Sequence, residues 1–387
     1  MSERALAHIE KIEWKKPIEN ADNIELIGVL GWVCIAKINE FQVGDKCVYI
    51  EIDSLAPRDD ERFAFLESKK YKIKTMKLGK KFGSPISQGL ALPLTEFPEI
   101  ADKDIGSDVT EILKITYYSA DDRQRKGKGI DPDAKYKSMS ARHPKFAKKK
   151  WWRWLIKRTW GKKLLFLFFG KKKDNPKGFP EWIVKTDETR VENIPWVLES
   201  KEKFIQTEKL DGTSCTYAIN KIKKNKYEFI VCSRNVRQAD RNQETYHESN
   251  IYWELADKYG IENKLIKFAQ DNNYDRVVLQ GEGVGSVQGN PYKLDENKLY
   301  CFNLVINGQR KGTMALKEWC DDNNMLCVPI IDTKHELPHD MESMKLEADG
   351  YSTINPKVKR EGFVYRNQDG TNSFKNVSRE YLLKHNG

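Results

Sequence analysis

The sequence predicts an α+β protein, with a small N-terminal β-barrel and a larger C-terminal domain of antiparallel sheets and helices. Three observations predict it. Up to about Ile115 the chain is a series of short, β-branched runs broken by Gly31, Gly44-Asp45 and Pro57, which is the spacing of a small barrel or sandwich. From Phe179 onward, strand-like runs alternate with helical ones. Between these regions the composition becomes first polar, then basic and aromatic. The expected domains are therefore 1–115, 116–178 and 179–387, a division that suits a chain of 387 residues.

In the first region, residues 25–30, 33–38 and 46–52 read as strands. Phe41-Gln42-Val43-Gly44-Asp45 is a turn that feeds the strand Lys46-Cys47-Val48-Tyr49-Ile50. Residues 71–78 alternate in polarity, which would place Lys72 and Lys74 on one strand face. Such a face suits a phosphate backbone, and equally suits water.

The middle region carries Lys148-Lys149-Lys150-Trp151-Trp152-Arg153-Trp154, then Leu164-Leu165-Phe166-Leu167-Phe168-Phe169, then Lys171-Lys172-Lys173. The apolar block is far too short to span a bilayer. Three readings remain open. The tract lies on a membrane surface, binds RNA through phosphates and stacking, or packs its apolar side between two domains with its lysines in water.

In the last region, residues 204–207 and 215–219 read as strands on either side of Glu208-Lys209-Leu210-Asp211-Gly212. A strand at 227–232 leads into Ser233-Arg234-Asn235. Helices follow at 250–258 and 261–269, divided by Gly260. A buried-type strand at 276–280 runs into Gly281-Glu282-Gly283, and another at 299–306 ends at the hairpin signal Asn307-Gly308. A helix at 315–322, a short strand at 328–331 and two last strands at 361–366 and 373–375 complete the domain, without an internal repeat.

The formal net charge is +10, but it is uneven. Residues 121–180 hold twenty Lys and Arg against five Asp, a net of +15. A basic block on an otherwise mildly acidic chain points to a polyanion, most simply nucleic acid, with a membrane surface as the rival. The seven cysteines are scattered, with no zinc-type spacing, which reads as reduced thiols. The first ten residues are polar and charged, unlike a signal peptide. A monomer in a cytoplasmic compartment is expected.

Lys209 is the candidate nucleophile. A lysine between two strands is partly desolvated, and desolvation with nearby cations lowers its pKa and frees the amine. Asp211, two residues on, faces the same side of a strand. Alone, this tetrapeptide is also what a hairpin end with a solvated lysine looks like. Arg234, Glu282, Glu361 and Lys375 each stand at a strand edge as well. Lysines and an arginine suit phosphate oxygens, and carboxylates suit a hydrated divalent metal, so the set suits a nucleoside triphosphate with metal.

The order Lys-x-Asp-Gly, Ser-Arg-Asn, Gly-Glu, Phe-Asn, Glu-Gly-Phe-Val, Phe-Lys resembles the lysine-dependent nucleotidyltransferases, the polynucleotide ligases and RNA capping enzymes. It is most similar to RNA ligase family five, and the likeness extends to the Lys-Thr-Asp-Glu-x-Arg run at 185–190. The resemblance implies an OB-like nucleic-acid-binding domain at 1–115 and an ATP-grasp-like nucleotidyltransferase domain at 179–387. It implies that Lys209 attacks the α-phosphate of ATP and carries AMP. Glu208 would read the adenine amino group and Phe302 would stack on adenine. Arg234 and Glu282 would hold the ribose and phosphate region. Asp211, Glu282 and Glu361 would hold hydrated Mg2+ or Mn2+, and Lys375 would contact the α-phosphate. Lys72, Lys74, Lys148, Lys149, Lys150 and Arg190 are the candidate RNA contacts. The substrate implied is RNA with 3′-hydroxyl and 5′-phosphate ends, such as a nicked duplex or RNA/DNA hybrid.

DNA ligases and capping enzymes usually place an OB domain after Phe-Lys, and here only 376–387 follow. An RNA ligase is therefore expected. The alternatives are a guanylyltransferase, a DNA ligase or an inactive nucleic-acid-binding relative. Residues from about Phe179 are expected to hold the whole adenylation pocket.

Overall fold

A computed structural model of the chain describes residues 5–118, 144–169, 178–238 and 250–385. The N-terminal strands are β1 (Ala7–Pro17), β2 (Ile24–Val29), β3 (Trp32–Lys37), β4 (Lys46–Ile50), β5 (Ser54–Leu55), β6 (Lys72–Ile73), β7 (Met76–Lys77), β8 (Ile86–Ser87), β9 (Leu90–Pro93) and β10 (Thr116–Tyr117). They build a five-stranded sheet in the order β3-β2-β1-β4-β9, with two smaller sheets beside it. β1 pairs with β4 through Ala7–Lys11 and with β2 from Ile12 onward, and the register shifts between Ile12 and Trp14. A bulge bends and twists a strand, so one long strand serves both halves of a curved sheet. Ile9, Val48, Ile50, Phe63 and Phe97 fill one side, and Ile12, Ile27, Trp32 and Tyr49 fill the other.

The expected single strand over 71–78 is two short ones, β6 and β7, in different sheets. The alternation behind the expectation is real: Ile73 and Thr75 are buried, and Lys72 and Lys74 are half-exposed.

The described residues of 118–175 belong to a second compact unit. Its described part is three short helices, α1 (Pro144–Ala147), α2 (Lys150–Ile156) and α3 (Thr159–Phe169). Trp152 and Leu165 are buried between them, with Ala147, Leu155, Ile156 and Phe169 packed around. The tract thus makes a small core of its own. No helix among the described residues is long and apolar enough to cross a membrane.

The C-terminal strands are β11 (Thr189–Arg190), β12 (Phe204–Lys209), β13 (Thr213–Lys223), β14 (Lys226–Cys232), β15 (Arg276–Val284), β16 (Lys298–Ile306), β17 (Gln309–Arg310), β18 (Leu326–Cys327), β19 (Ile330–His335), β20 (Gly362–Asn367) and β21 (Ser373–Val377). The helices are α4 (Ile251–Lys258), α5 (Ile261–Asp271), α6 (Thr313–Asp322), α7 (Met341–Ala348) and α8 (Arg379–His385). Two sheets result, β11-β21-β20-β12-β19 and β14-β13-β15-β16-β17, with β18 against β16. Residues of α4, α5 and α6 such as Leu255, Leu265 and Trp319 pack with Tyr217, Ile219 and Leu279 on one face of the second sheet. β12 ends at Lys209 in the first sheet, and β13 begins at Thr213 in the second. The lysine motif is therefore the crossing between the two sheets.

Candidate active site

The crossing is tight. A Cβ on Gly212 would lie 2.3 Å from the carbonyl oxygen of Gly283, so only glycine lets the chain turn here against β15. Gly362, paired with Lys209, has a φ of +151°, and a Cβ there would meet the carbonyl of Asn376 at 2.1 Å. These two glycines bring β12, β15, β20 and β21 close together, and with them the side chains they carry.

Lys209 Nζ donates to Glu361 Oε1 at 2.7 Å. Burial opposes its charge, but Glu361, then Glu282 and Asp211, outweigh burial and hold the ammonium above the ordinary lysine range. This corrects the expectation of a lowered pKa. Its three carboxylate neighbours decide the direction. Glu282, on β15, has its carboxyl pushed up to about 8, chiefly by burial. Asp211 accepts from the Tyr381 hydroxyl, and its backbone N–H donates to the Tyr292 hydroxyl at 2.7 Å.

Asp187 ties the cations together. It accepts from Lys375 Nζ at 2.6 Å and from Arg234 at 3.3 Å. Arg234 is half-exposed and also lies 5.6 Å from the centre of the Tyr117 ring. Next to Asp187, half-buried Glu188 accepts from Arg366 at 2.9 Å and from Ser373 Oγ. Burial works against its charge, yet Arg366, Ser373 and Arg310 hold its carboxyl below the ordinary range. The run at 185–190 is thereby fastened to β20 and β21 beside Lys375.

Glu208 and Phe302 form another wall. Glu208 is 1% exposed, and Thr353 donates to its Oε2 through both N–H, at 2.8 Å, and Oγ1. Its Oε1 is buried without a partner. Gln280 pairs with Asn303 and Gly281 with Cys301, which leaves Phe302 as the extra residue of a bulge in β16. Its half-buried ring packs with Leu210, Val284, Tyr292 and Val328.

Lys209, Asp211, Glu282, Glu361, Lys375 and Arg234 thus share one neighbourhood, and Glu208 and Phe302 flank it. Arg190 departs from expectation. It is 5% exposed and donates to Asp53 of the N-terminal sheet at 3.0 Å, so it is a buried tie and no surface for RNA. Lys72 and Lys74 are half-exposed on the N-terminal module. Lys148, Lys149 and Lys150 are exposed at the start of α2. Lys171, Lys172 and Lys173 lie outside the described residues. Sequence reasoning assigned no role to Asp187, Tyr292, Thr353 or Tyr381. Asp187 lies within a quoted run, but the other three have no local signal.

Among the described residues, no three His, Cys, Asp or Glu side chains are grouped to grip a bare ion. The carboxylates nonetheless suit a hydrated divalent metal. Glu361 Oε2 is buried without a partner, and Glu282 is strained by its acidic neighbours.

An RNA ligase family model matches residues 202–384, and an OB-fold domain model matches residues 6–94. Among solved structures, that of the Naegleria gruberi RNA ligase with PPi is 32% identical, with 99% of each chain covered and a TM-score of 0.75. A glutamate-to-alanine variant of that ligase with ATP and Mn is 31% identical, covers 99% of this chain and 100% of its own, and has a TM-score of 0.75. A second such variant, with AMP and Mn, is 31% identical with 99% of each chain covered and a TM-score of 0.74. No curated protein matches the chain.

Proposed function

The chain belongs to the RNA ligase family, and from that premise we propose that it seals RNA with ATP, joining a 3′-hydroxyl end to a 5′-phosphate end. The observation that carries this reading is the Lys209–Glu361 pair at the crossing of the two sheets, ringed by Asp211 and Glu282. Lys209 Nζ attacks the α-phosphorus of ATP. A nitrogen–phosphorus bond forms and pyrophosphate leaves. Glu361 Oε1, at 2.7 Å, is placed to receive the ammonium proton. AMP then passes to the 5′-phosphate end, and the 3′-hydroxyl displaces it.

Lys375 and Arg234, oriented by Asp187, supply positive charge for the phosphates. Glu208, with its unpartnered Oε1, and Phe302 form the adenine end. Asp211, Glu282 and Glu361 are the residues that would hold Mg2+ or Mn2+. The metal supplies positive charge that offsets both the carboxylates and the triphosphate.

The domains proposed are an OB module at 1–115, a basic linker at 116–178 and the ligase domain at 179–387. Lys72, Lys74 and Lys148–150 are proposed to meet the RNA. Lys148, Lys149 and Lys150 stand at the N-terminal end of α2, where no side chain caps the helix. A nicked duplex is the substrate proposed. We place the enzyme, as a monomer, in a reducing, cytoplasmic setting. All seven cysteines are free and six of them are buried.

The test is incubation with α-labelled ATP and a divalent metal. The protein should acquire label, and Lys209→Ala should not. Equal labelling of the variant would remove Lys209 as nucleophile, and preferential labelling by GTP would favour capping. A panel of nicked duplexes with RNA or DNA on either side of the nick then fixes the strand preference.

A further inference from the structure

β13 and β14 meet at Lys224 and Asn225, and a φ of +63° at Asn225 makes the turn. Lys221, Lys223, Lys224 and Lys226 crowd this tip, and Lys223 stands opposite Lys226 in the ladder. Like charges directly opposite across an antiparallel pair destabilise it. Lys221 is bound to Asp275 at 3.1 Å and to Asn273 at 3.3 Å. Lys223, Lys224 and Lys226 are exposed, and no carboxylate among the described residues pairs with them.

Beside the tip lies a groove of about 710 Å³ lined by Trp182, Lys221, Lys223, Lys224, Arg276 and Asn307. Its floor is held in place. The Arg276 guanidinium lies 5.0 Å from the Trp182 ring centre and donates to Asn220 Oδ1 at 3.0 Å. Asn307 Oδ1 accepts from the backbone N–H groups of Asp275, at 3.1 Å, and Arg276, at 2.9 Å.

The strand period relates this groove to the chemistry. Arg276, Val278, Gln280 and Glu282 alternate onto one face of β15. The pairing of β15 with β13 is regular from Arg276 to Gly283. Arg276 and Glu282 therefore share a face, six residues or about 20 Å apart. Between them, Gln280 Nε2 donates to the carbonyl of Val184 at 2.9 Å, so the segment that contributes Trp182 lies along that face.

We infer that the groove and the lysine tip hold backbone phosphates of an RNA arm flanking the joined ends, roughly six nucleotide steps from the chemistry. The inference rests on the RNA-ligase reading and extends it to a second contact region. A polyanion relieves the repulsion of Lys223 and Lys226, and lysine serves phosphate as a point charge without strict geometry.

The experiment uses the full chain carrying Lys223→Gln, Lys224→Gln and Lys226→Gln. Lysyl-AMP formation should be unchanged. Affinity for a nicked RNA duplex with arms of about twelve nucleotides should fall about tenfold at low salt, and the slope of log affinity against log salt should shrink by about two. A duplex with arms under about five nucleotides, too short to reach the groove, should bind both proteins alike. The variant should melt no lower than the parent, because a repulsion has been removed. Equal affinity and salt slope on the long-armed duplex would overturn the inference, as would equal losses on both duplexes. Wild-type protein that forms lysyl-AMP yet seals no RNA would instead count against the RNA-ligase reading, while the binding comparison still decides the groove.

Discussion

At Glu282, burial is the largest influence, and Glu361 and Asp211 add repulsion that Lys209 and Arg234 only partly offset. The folded carboxyl titrates at about 8 against an ordinary value of 4.5. Between these values the folded state keeps a proton that the unfolded state has lost. Stability from this group is therefore fully present below about pH 4.5 and is lost as pH rises toward 8. Glu282→Gln should remove that part of the decline. Thermal melts of the metal-free protein should fall less steeply from about pH 5 to 8 in the variant than in the parent, and identical slopes would show that Glu282 titrates normally. The identity of Glu282 was readable from motif order, because Gln-Gly-Glu-Gly follows a buried-type strand. Its charge state was not. It depends on Lys209, Asp211 and Glu361, which come from separate parts of the chain and meet only after the two sheets cross. The same reason hid the raised pKa of Lys209 and the bridging place of Asp187.

Elements with a clear period were legible: α4, α5 and α6, β15, β16 and the closing pair β20–β21 lie where periodicity and the glycine signals put them. Residues 71–78 were harder. Two-residue strands in different sheets carry the same alternation as one long strand, and nothing local separates them. The basic aromatic tract was ambiguous for another reason. Tryptophan suits a core, a base or a lipid surface equally, and only packing tells them apart. Here Trp152 is 1% exposed and Trp154 is 50% exposed. Trp154 lies at the turn against Trp160, and Arg158 lies over its ring at 3.8 Å. Trp152→Ala should therefore loosen the helical hairpin and open 144–169 to limited proteolysis. Trp154→Ala should stay within about 0.5 kcal/mol of the parent, as exposed positions usually do. Faster cleavage of the Trp154 variant than of the Trp152 variant would refute this packing.

At the scale of the whole molecule, the N-terminal module and the ligase domain share a core. Val377 and Leu382 of the ligase domain are buried in one cluster with Ile12, Trp32, Tyr49 and Ile52. Polar ties reinforce it. Gly31 N–H donates to the carbonyl of Glu192 at 2.8 Å, and Trp32 Nε1 donates to Asn193 Oδ1 at 2.6 Å. Read from the sequence alone, residues after about Phe179 look sufficient for adenylation, because every motif lies there. The packing argues otherwise. Val377 is two residues from Lys375 on β21, Leu382 follows the Tyr381 that bonds Asp211, and Arg190 pairs in register with Lys375. A disturbance of the N-terminal core thus reaches the pocket through three short paths, one along β21, one through the Tyr381–Asp211 hydrogen bond and one through the β11–β21 pairing. Trp32→Ala in the full chain should cost about 3–5 kcal/mol in a urea titration. It should also raise the ATP concentration needed for half-maximal lysyl-AMP formation, although Trp32 belongs to the other domain. Trp32→Phe keeps most of the buried area and loses the bond to Asn193, so it should cost only about 1–3 kcal/mol. If Trp32→Ala lowers stability while adenylation at each ATP concentration stays that of the parent under folded conditions, the two domains are coupled in folding but not in catalysis, and the N-terminal module has no part in shaping the pocket.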